Sequence, residues 1–360
     1  MDKTSLIFIA GHRGLVGSAI FENLKEKGYS NFITRTHAEL DLMDQKAVRS
    51  FFEKEKPEYV FLAAAKVGGI MANNTYRAQF IYENIQIQNN VIHNSWLAGV
   101  KKLLFLGSSC IYPRLAPQPL KEEYLLTGEL EYTNEPYALA KIAGIRTIES
   151  YNLQYGTNYL AVMPTNLYGI NDNFHLRKSH VLPAMIRKMH LAKCLDKDDM
   201  VAIRADFQKR PVEDICFDAP ENEVLKYLEL QGIRKVGGKT TLTLWGSGRP
   251  LREFLWAGDM ADACVFIMEN IDSADLTTGM SSEIRNTHIN IGSGKEITIR
   301  ELALLVKEII GFDGQIDFDA SKPDGTPRKL LDVSKLEKLG WKYSVELNEG
   351  IEMVYNHYLS

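Results

Sequence analysis

The chain has no apolar run long enough to cross a membrane. Leu6–Ala10 stops at a glycine turn and Tyr59–Ala65 stops at Lys66, far short of the roughly 18 residues a span requires. A basic N-terminal region followed by a cleavage site is missing too, so no secretory signal is expected. Cysteine is scarce: Cys110, Cys194, Cys216 and Cys264 are scattered, with no Cys-x-x-Cys pair. They argue against a disulfide frame or a metal site and fit reduced thiols in the cytoplasm. A dominant charge sign is lacking as well. Forty-two Lys and Arg stand against 46 Asp and Glu, a net charge of -4, which gives no reason to expect nucleic acid or an anionic membrane. Internal repeats and low-complexity segments are absent.

What remains is the composition of an ordinary globular protein, 45% hydrophobic and 24% charged. At 360 residues two lobes are the default expectation. Strand and helix patterns alternate through the first half. Leu6–Ala10, Phe32–Arg35, Tyr59–Ala64, Lys102–Gly107 and Tyr159–Met163 read as strands. Val16–Lys27, Gln45–Lys56, Tyr76–Ala98 and Tyr137–Tyr155 read as helices between them. This rhythm, with near-continuous apolar strands, predicts an α/β fold with a doubly wound parallel (Rossmann) sheet. The second half is less regular. Val181–Leu191 and Glu221–Leu230 read as helices, Thr240–Trp245 as a strand, Gly311–Asp319 as another strand, and Lys322–Leu331 as an ordered loop. A smaller C-terminal α/β lobe is expected from it.

The first strand runs straight into Gly11, His12, Arg13, Gly14, Leu15, Val16 and Gly17, and a helical pattern follows. Strand, glycine turn and helix form the context in which a dinucleotide pyrophosphate sits on a helix N-terminus. The spacing is G-x-x-G-x-x-G, and a merely structural turn is the competing reading. The second strand ends in Thr34-Arg35-Thr36-His37, without an acid until Glu39. Arg35 and His37, with Arg13 in the turn, put cationic donors where NAD-preferring proteins place a carboxylate, which favours a 2′-phosphate and hence NADPH. Solvated surface charge is the plainer alternative. Asp41 and Leu42 are placed to meet the adenine edge.

Tyr137 and Lys141 are four residues apart and share one face of their helix. A tyrosine is a poor acid–base catalyst at a pKa of about 10, but an ammonium one turn away favours the phenolate. Ser108 and Ser109, at a strand end upstream, compete to bind a carbonyl oxygen. The set suits proton transfer to or from a carbonyl while a nicotinamide exchanges hydride with the carbon. An exposed helix pair is the alternative for Tyr137 and Lys141.

These residues belong to longer motifs: Gly11–Ile20, 63–70 (Ala-Ala-Ala-Lys-Val-Gly-Gly-Ile), 107–113 (Gly-Ser-Ser-Cys-Ile-Tyr-Pro), 134–144, 163–169 (Met-Pro-Thr-Asn-Leu-Tyr-Gly), 172–175, 245–248 and 318–330. With them the chain resembles the extended short-chain dehydrogenase/reductases, and within them the branch that epimerises and reduces GDP-linked keto sugars. The resemblance implies a substrate, GDP-4-dehydro-6-deoxy-D-mannose, inverted at C3 and C5 and reduced at C4 with NADPH to give GDP-L-fucose. The C4 ketone acidifies the hydrogens on both neighbouring carbons and then accepts the hydride. It further implies Cys110 and His180 as the epimerisation pair, with neither assigned to a carbon. Tyr137 would be the proton donor, tuned by Lys141, and Ser108 would bind the ketone oxygen. Leu106, Gly107, Ser108, Ser109, Lys141, Pro164, Thr165, Asn166, Leu167 and His180 would line the cofactor site.

By the same resemblance Lys188, Trp245, Arg252, Asp324 and Lys329 would contact substrate, Lys188 standing where arginine is expected. Lysine keeps the charge but not a bidentate phosphate grip. The implied division is an NADP-binding domain over 1–170 plus about 255–290, and a substrate lobe over 171–254 and 291–360. The charged stretch of about 193–239 is expected as an insertion flanking the sugar-nucleotide site. A homodimer through the Tyr76–Ala98 and Tyr137–Tyr155 helices is expected by the same analogy. A nucleotide-sugar 4-epimerase with tightly held NAD, and a non-catalytic NADP-binding protein, are the rival readings.

Overall fold

The structure, a computed structural model, describes residues 1–280, 283–322 and 324–360. Pro323, inside the 318–330 motif, lies outside them. Its elements are β1 (Ile7–Ala10), α1 (Leu15–Glu26), β2 (Phe32–Ile33), α2 (Gln45–Glu55), β3 (Tyr59–Leu62), α3 (Ile70–Thr75), α4 (Arg77–Leu97), β4 (Lys102–Leu106), α5 (Glu135–Tyr155), β5 (Tyr159–Pro164) and β6 (Asn166–Tyr168). They continue as α6 (Val181–Asp196), α7 (Met200–Lys209), α8 (Glu221–Leu230), β7 (Ile233–Val236), β8 (Lys239–Trp245), β9 (Leu251–Trp256), α9 (Ala257–Asn270) and β10 (Ile289–Ile291). The last are β11 (Glu296–Thr298), α10 (Ile299–Ile310), β12 (Gln315–Asp319), β13 (Arg328–Lys329), α11 (Ser334–Lys338) and α12 (Leu347–Leu359).

Among the described residues the largest sheet has six strands in the order β10-β5-β4-β3-β1-β2, all paired in parallel. Alternate residues of each strand face opposite cores. Phe8, Val60, Leu103 and Phe105 pack with Val48, Phe52, Val91 and Ile145 from α2, α4 and α5. Ile7, Ile9, Phe61 and Leu104 pack with Ile20, Leu24, Ala261 and Cys264 from α1 and α9. Burial on both faces is why these strands read as continuous apolar runs and not as alternating ones. Helix ends follow local chemistry. Asp44 caps α2 by accepting from the Lys46 and Ala47 amides, and α5 stops at Gly156 with φ +65°.

The chain divides into two compact units. The first is Met1–Asn171, Glu253–Lys295 and Lys329–Val345, and the second is Asp172–Arg252, Glu296–Arg328 and Glu346–Ser360. The expected boundaries put all of 291–360 in the substrate lobe, but 329–345 returns to the first unit. The cause is burial: Leu331 sits in the core beside α2, α4 and α5, and Leu336 and Trp341 join the core beside α1 and α9. The second unit holds a three-stranded sheet in the order β12-β8-β7, with β12 parallel and β7 antiparallel to β8. It is more regular than its sequence suggests. In α7 the apolar signal, Ile203 and Phe207 on one buried face, is masked by the charges between and around them.

Candidate active site

Strand order reverses at β1, with β2 on one side and β3 on the other. Ligands of open α/β sheets bind beyond the strand C-termini at such a switch point. The glycine turn stands there. Gly11 has φ +88°, and a Cβ on it would meet the Ala64 backbone nitrogen at 2.7 Å. A Cβ on Gly17 would meet the Gly11 carbonyl oxygen at 2.1 Å, so both positions need glycine for the chain's own packing. Gly14 differs: its Cβ would find one neighbour, the Gly11 oxygen at 3.5 Å. Gly14 also caps α1 without any side-chain hydrogen bond, leaving the first-turn N–H groups to donate to an anion. Among the described residues the buried Nδ1 of His12 has no partner. An open cradle, an uncapped helix end and an orphaned ring nitrogen fit a dinucleotide pyrophosphate.

The residues after β2 are partly engaged with one another. Arg35 bonds Glu55 Oε1 at 3.0 Å and the Thr34 carbonyl at 2.8 Å. His37 Nδ1 lies 3.7 Å from Asp41 Oδ1, and Asp41 accepts from the Met43 amide. The first acid, Glu39, is held by the Thr36 amide and hydroxyl, which keeps its carboxyl below the usual range. Arg13 is exposed in the turn. Leu42 packs on the core.

At the end of β4 the Gly107 amide bonds the Val162 carbonyl, and a Cβ there would strike the Met163 side chain at 2.1 Å. The chain then enters a single 3-10 turn, Ser109–Ile111, with Ser108 as its cap. Ser108 Oγ accepts from the Cys110 amide at 3.4 Å, while Ser109 is buried. Lys141, 3% exposed, donates to the Leu106 carbonyl at 2.7 Å. Its Nζ sits 5.6 Å from the centre of the Tyr137 ring. The first unit thus brings together Ser108, Cys110, Tyr137 and Lys141, and Lys329 belongs to the same unit and acts electrostatically on Cys110.

The electrostatics correct one expectation. Burial, and then the neighbouring Cys110, push the Tyr137 hydroxyl up, not down. Burial pulls Lys141 down to about 8, so the charge that was to stabilise a phenolate is itself weakened by desolvation. A tyrosine held protonated is an acid, which is the form that a ketone reduction needs. Cys110 behaves similarly. Burial raises its thiol, against the pull of Lys329, Ser108 and Lys141. The activating cations are present, but burial outweighs them.

Beyond β5, Thr165 and Asn166 both bond the Glu253 carbonyl, at 3.3 and 2.8 Å. Pro164 pairs with Ile291 and Leu167 with Leu255. The sequence reading missed Glu253, which is fully buried. Its carboxylate accepts from the Gly294 amide at 2.7 Å and the Leu331 amide at 3.0 Å. An acid between Arg252 and Phe254 inside an apolar strand pattern was its only signal.

The other expected residues lie in the second unit. His180 is exposed and caps α6. Lys188 is pulled down to about 8 by burial and by Arg177. Asp324 takes the Ser247 amide at 2.8 Å and the Ser247 hydroxyl at 2.7 Å. Arg252 donates to the Thr326 carbonyl at 2.6 Å, and Trp245 is exposed with Lys322 Nζ 5.6 Å from its ring centre.

Comparison with known proteins adds four findings. The sequence profile described as "NAD dependent epimerase/dehydratase family" matches residues 7–210 and 224–292. The chain is 51% identical over 358 residues to GDP-L-fucose synthase 1 of Arabidopsis thaliana, covering 99% of this chain and 94% of that one. It is 47% identical over 353 residues to GDP-L-fucose synthase of Escherichia coli K12, covering 98% and 96%. Among solved structures, a GDP-D-glycero-L-gluco-heptose synthase from Campylobacter jejuni, determined in the presence of NADPH, is 46% identical. It superposes with a TM-score of 0.90 over all of both chains.

Proposed function

This chain belongs to the NAD dependent epimerase/dehydratase family, and we propose that it converts GDP-4-dehydro-6-deoxy-D-mannose to GDP-L-fucose by 3,5-epimerisation and NADPH-dependent reduction at C4. The observation that carries this is full-length identity of about half to relatives named for that product, together with Ser108 after β4 and Tyr137 and the buried Lys141 on α5, gathered in the first unit. The cofactor is NADPH/NADP+. When bound it supplies the hydride for C4. The turn from Gly11 to Gly17 would hold its pyrophosphate, and Leu106–Ser109 and Pro164–Leu167 would flank it.

The chain's own residues handle the protons. Tyr137, kept protonated by burial, gives its proton to the oxygen of the reduced ketone. Lys141 positions that hydroxyl's helix against β4 through the Leu106 carbonyl. Ser108 binds the ketone oxygen before reduction. Cys110 and His180 are assigned the proton exchanges at C3 and C5, with Lys329 and Lys141 opposing the burial that raises the Cys110 thiol. Lys188, Trp245, Arg252, Asp324 and Lys329 are assigned to the GDP-sugar, with Asp324 ordering the Ser247 turn. The first unit is the NADP-binding domain in this reading and the second the substrate lobe.

A second reading is favoured by one observation: the Campylobacter relative at 46% identity is named for a heptose. Both readings share a GDP-linked keto sugar as substrate. Supplying GDP-4-dehydro-6-deoxy-D-mannose and a GDP-4-keto-heptose in parallel, and following NADPH consumption with product identification, separates them. Turnover of the deoxymannose compound to GDP-L-fucose supports the first; turnover of the heptose alone replaces it.

We also infer a cytoplasmic homodimer through α4 and α5. No helix among the described residues is long and apolar enough to cross a membrane. The α4 and α5 pair leaves Tyr82, Leu97, Leu153 and Tyr155 exposed, with Trp96 stacked on Tyr155 at 4.2 Å. Light scattering should give twice the chain mass at micromolar concentration; a monomer mass rejects the dimer.

A further inference from the structure

The stretch 193–239 is tied to the loop that carries His180. That loop, 172–180, is braced internally. His175 Nδ1 accepts from the Arg177 and Lys178 amides at 3.1 and 3.2 Å, and the Ser179 hydroxyl donates to the His175 carbonyl. It ends at His180, the cap residue of α6. Two turns along α6 stands Arg187, one of the largest side chains to be fully buried. Its Nη1 donates to the Phe174 carbonyl in the loop at 3.2 Å. Its Nε donates to Asp206 Oδ1 at 2.9 Å and its Nη2 to the Arg210 carbonyl at 2.5 Å.

A buried guanidinium is tolerated only with a partner charge, and α7 supplies it as Asp206. The two side chains are 1% and 2% exposed. The second Asp206 oxygen accepts from the Tyr358 hydroxyl of α12 and lies 3.5 Å from Arg210 Nη1. Arg210 covers the Tyr358 ring at 3.6 Å, and Tyr358 meets Phe174 ring to ring at 5.1 Å. Outer pairs repeat the connection: Arg177 with Asp214 at 2.5 Å, and Lys178 with Glu213. All four of those side chains are about half exposed, so they add little holding force. The buried Arg187–Asp206 pair is the fastening.

We propose that Asp206 is a positioning residue, acting through Arg187 to hold the 172–180 loop so that His180 delivers its proton during epimerisation. This rests on the reading of His180 given above. It assigns the 193–239 stretch a task beyond lining the lobe: setting how much of the product is epimerised before reduction. Reduction depends on Tyr137 and Lys141 in the first unit and should be spared.

The test uses the full chain as Asp206→Asn and, because loss of a buried charge can prevent folding, as Tyr358→Phe, which leaves the ion pair in place. Amide hydrogen exchange over 172–180 reports the positioning. The ratio of 3,5-epimerised to unepimerised 4-reduced sugar nucleotide, with NADPH affinity measured alongside, reports its consequence. Faster exchange over 172–180 is expected in both variants at unchanged NADPH affinity. The product ratio should fall by about 10- to 100-fold in Asp206→Asn, the size of effect that small misplacements produce, and less in Tyr358→Phe. Wild-type exchange over 172–180 in a folded Asp206→Asn overturns the positioning. Should that variant not fold, Arg187→Lys, which keeps the charge but gives up the guanidinium fork that reaches both Asp206 and the Phe174 carbonyl, takes its place, and wild-type exchange there overturns it. A lower rate with an unchanged product ratio reduces Asp206 to a structural role and overturns the proposal. If wild type itself gives no epimerised product, the His180 reading falls, and the exchange result still decides whether the fastening exists.

Discussion

Replacing Gly14 with alanine separates a glycine required by a ligand from one required by the fold. A Cβ on Gly14 meets a single atom at 3.5 Å, ordinary contact, and the residue is extended with φ -77°, so alanine fits without strain. An N-cap exchange of glycine for alanine costs a few tenths of a kcal/mol up to about 1 kcal/mol, and the lower entropy of the unfolded chain returns about 0.4–1 kcal/mol. Stability should therefore stay within about 0.5 kcal/mol of wild type. The same methyl would project into the cradle assigned to the pyrophosphate. Overpacking costs about 1–3 kcal/mol, which is about a 5- to 150-fold weaker Kd for NADPH. Gly17→Ala is the control. Its Cβ lies 2.1 Å from the Gly11 oxygen, so α1 or the turn must shift and stability falls as well. Calorimetric titration with NADPH and a thermal melt on each variant give both quantities. A Gly14→Ala protein that binds NADPH as tightly as wild type would refute the placement of the cofactor.

Two further outcomes follow from groups in the first unit. Lys141→Met should lower kcat by about 10²- to 10⁴-fold, the usual share of a proton-transfer group. It should also change the pH dependence of stability. Burial lowers Lys141 from 10.5 to about 8, so between those values the unfolded chain holds a proton that the folded chain has released. Stability from this group therefore rises with pH across that window, and denaturant melts of Lys141→Met should lose the rise; an unaltered profile counts against the burial argument. Glu253→Gln keeps the shape but sets an amide against the Gly294 or Leu331 N–H. Losing one charge-assisted bond should cost about 1.5–3 kcal/mol, visible as a lower urea midpoint, and a midpoint equal to wild type would show that the carboxylate holds nothing.

The first half of the chain was legible because two physical signals coincided there. Strands buried on both faces leave unbroken apolar runs such as Leu103–Leu106, and the glycine turn marks the end of β1. Tyr137 and Lys141 stood out through helical spacing taken together with the Gly107-Ser108-Ser109 strand end upstream. Their proton affinities were not legible, because burial sets them and no residue type reports its own burial. The second half was harder to read. Polar and charged side chains in α7 surround only two strongly buried apolar positions, so propensity gave no helix. Glu253, Arg187 and Asp206 were invisible for a related reason: a buried charge looks like a solvated one until its partner, often far along the chain, is known. The return of 329–345 to the first unit depends on contacts of Leu331, Leu336 and Trp341 that no local pattern announces.

The most direct test of the central claim is turnover of GDP-4-dehydro-6-deoxy-D-mannose with unlabelled NADPH in deuterium oxide, for wild type and Cys110→Ser. The account predicts GDP-L-fucose carrying deuterium at C3 and C5 from wild type, and loss of that product with NADPH binding intact in the variant. NADPH consumption by wild type that leaves C3 and C5 unlabelled and uninverted would contradict it, and would make the protein a 4-reductase alone.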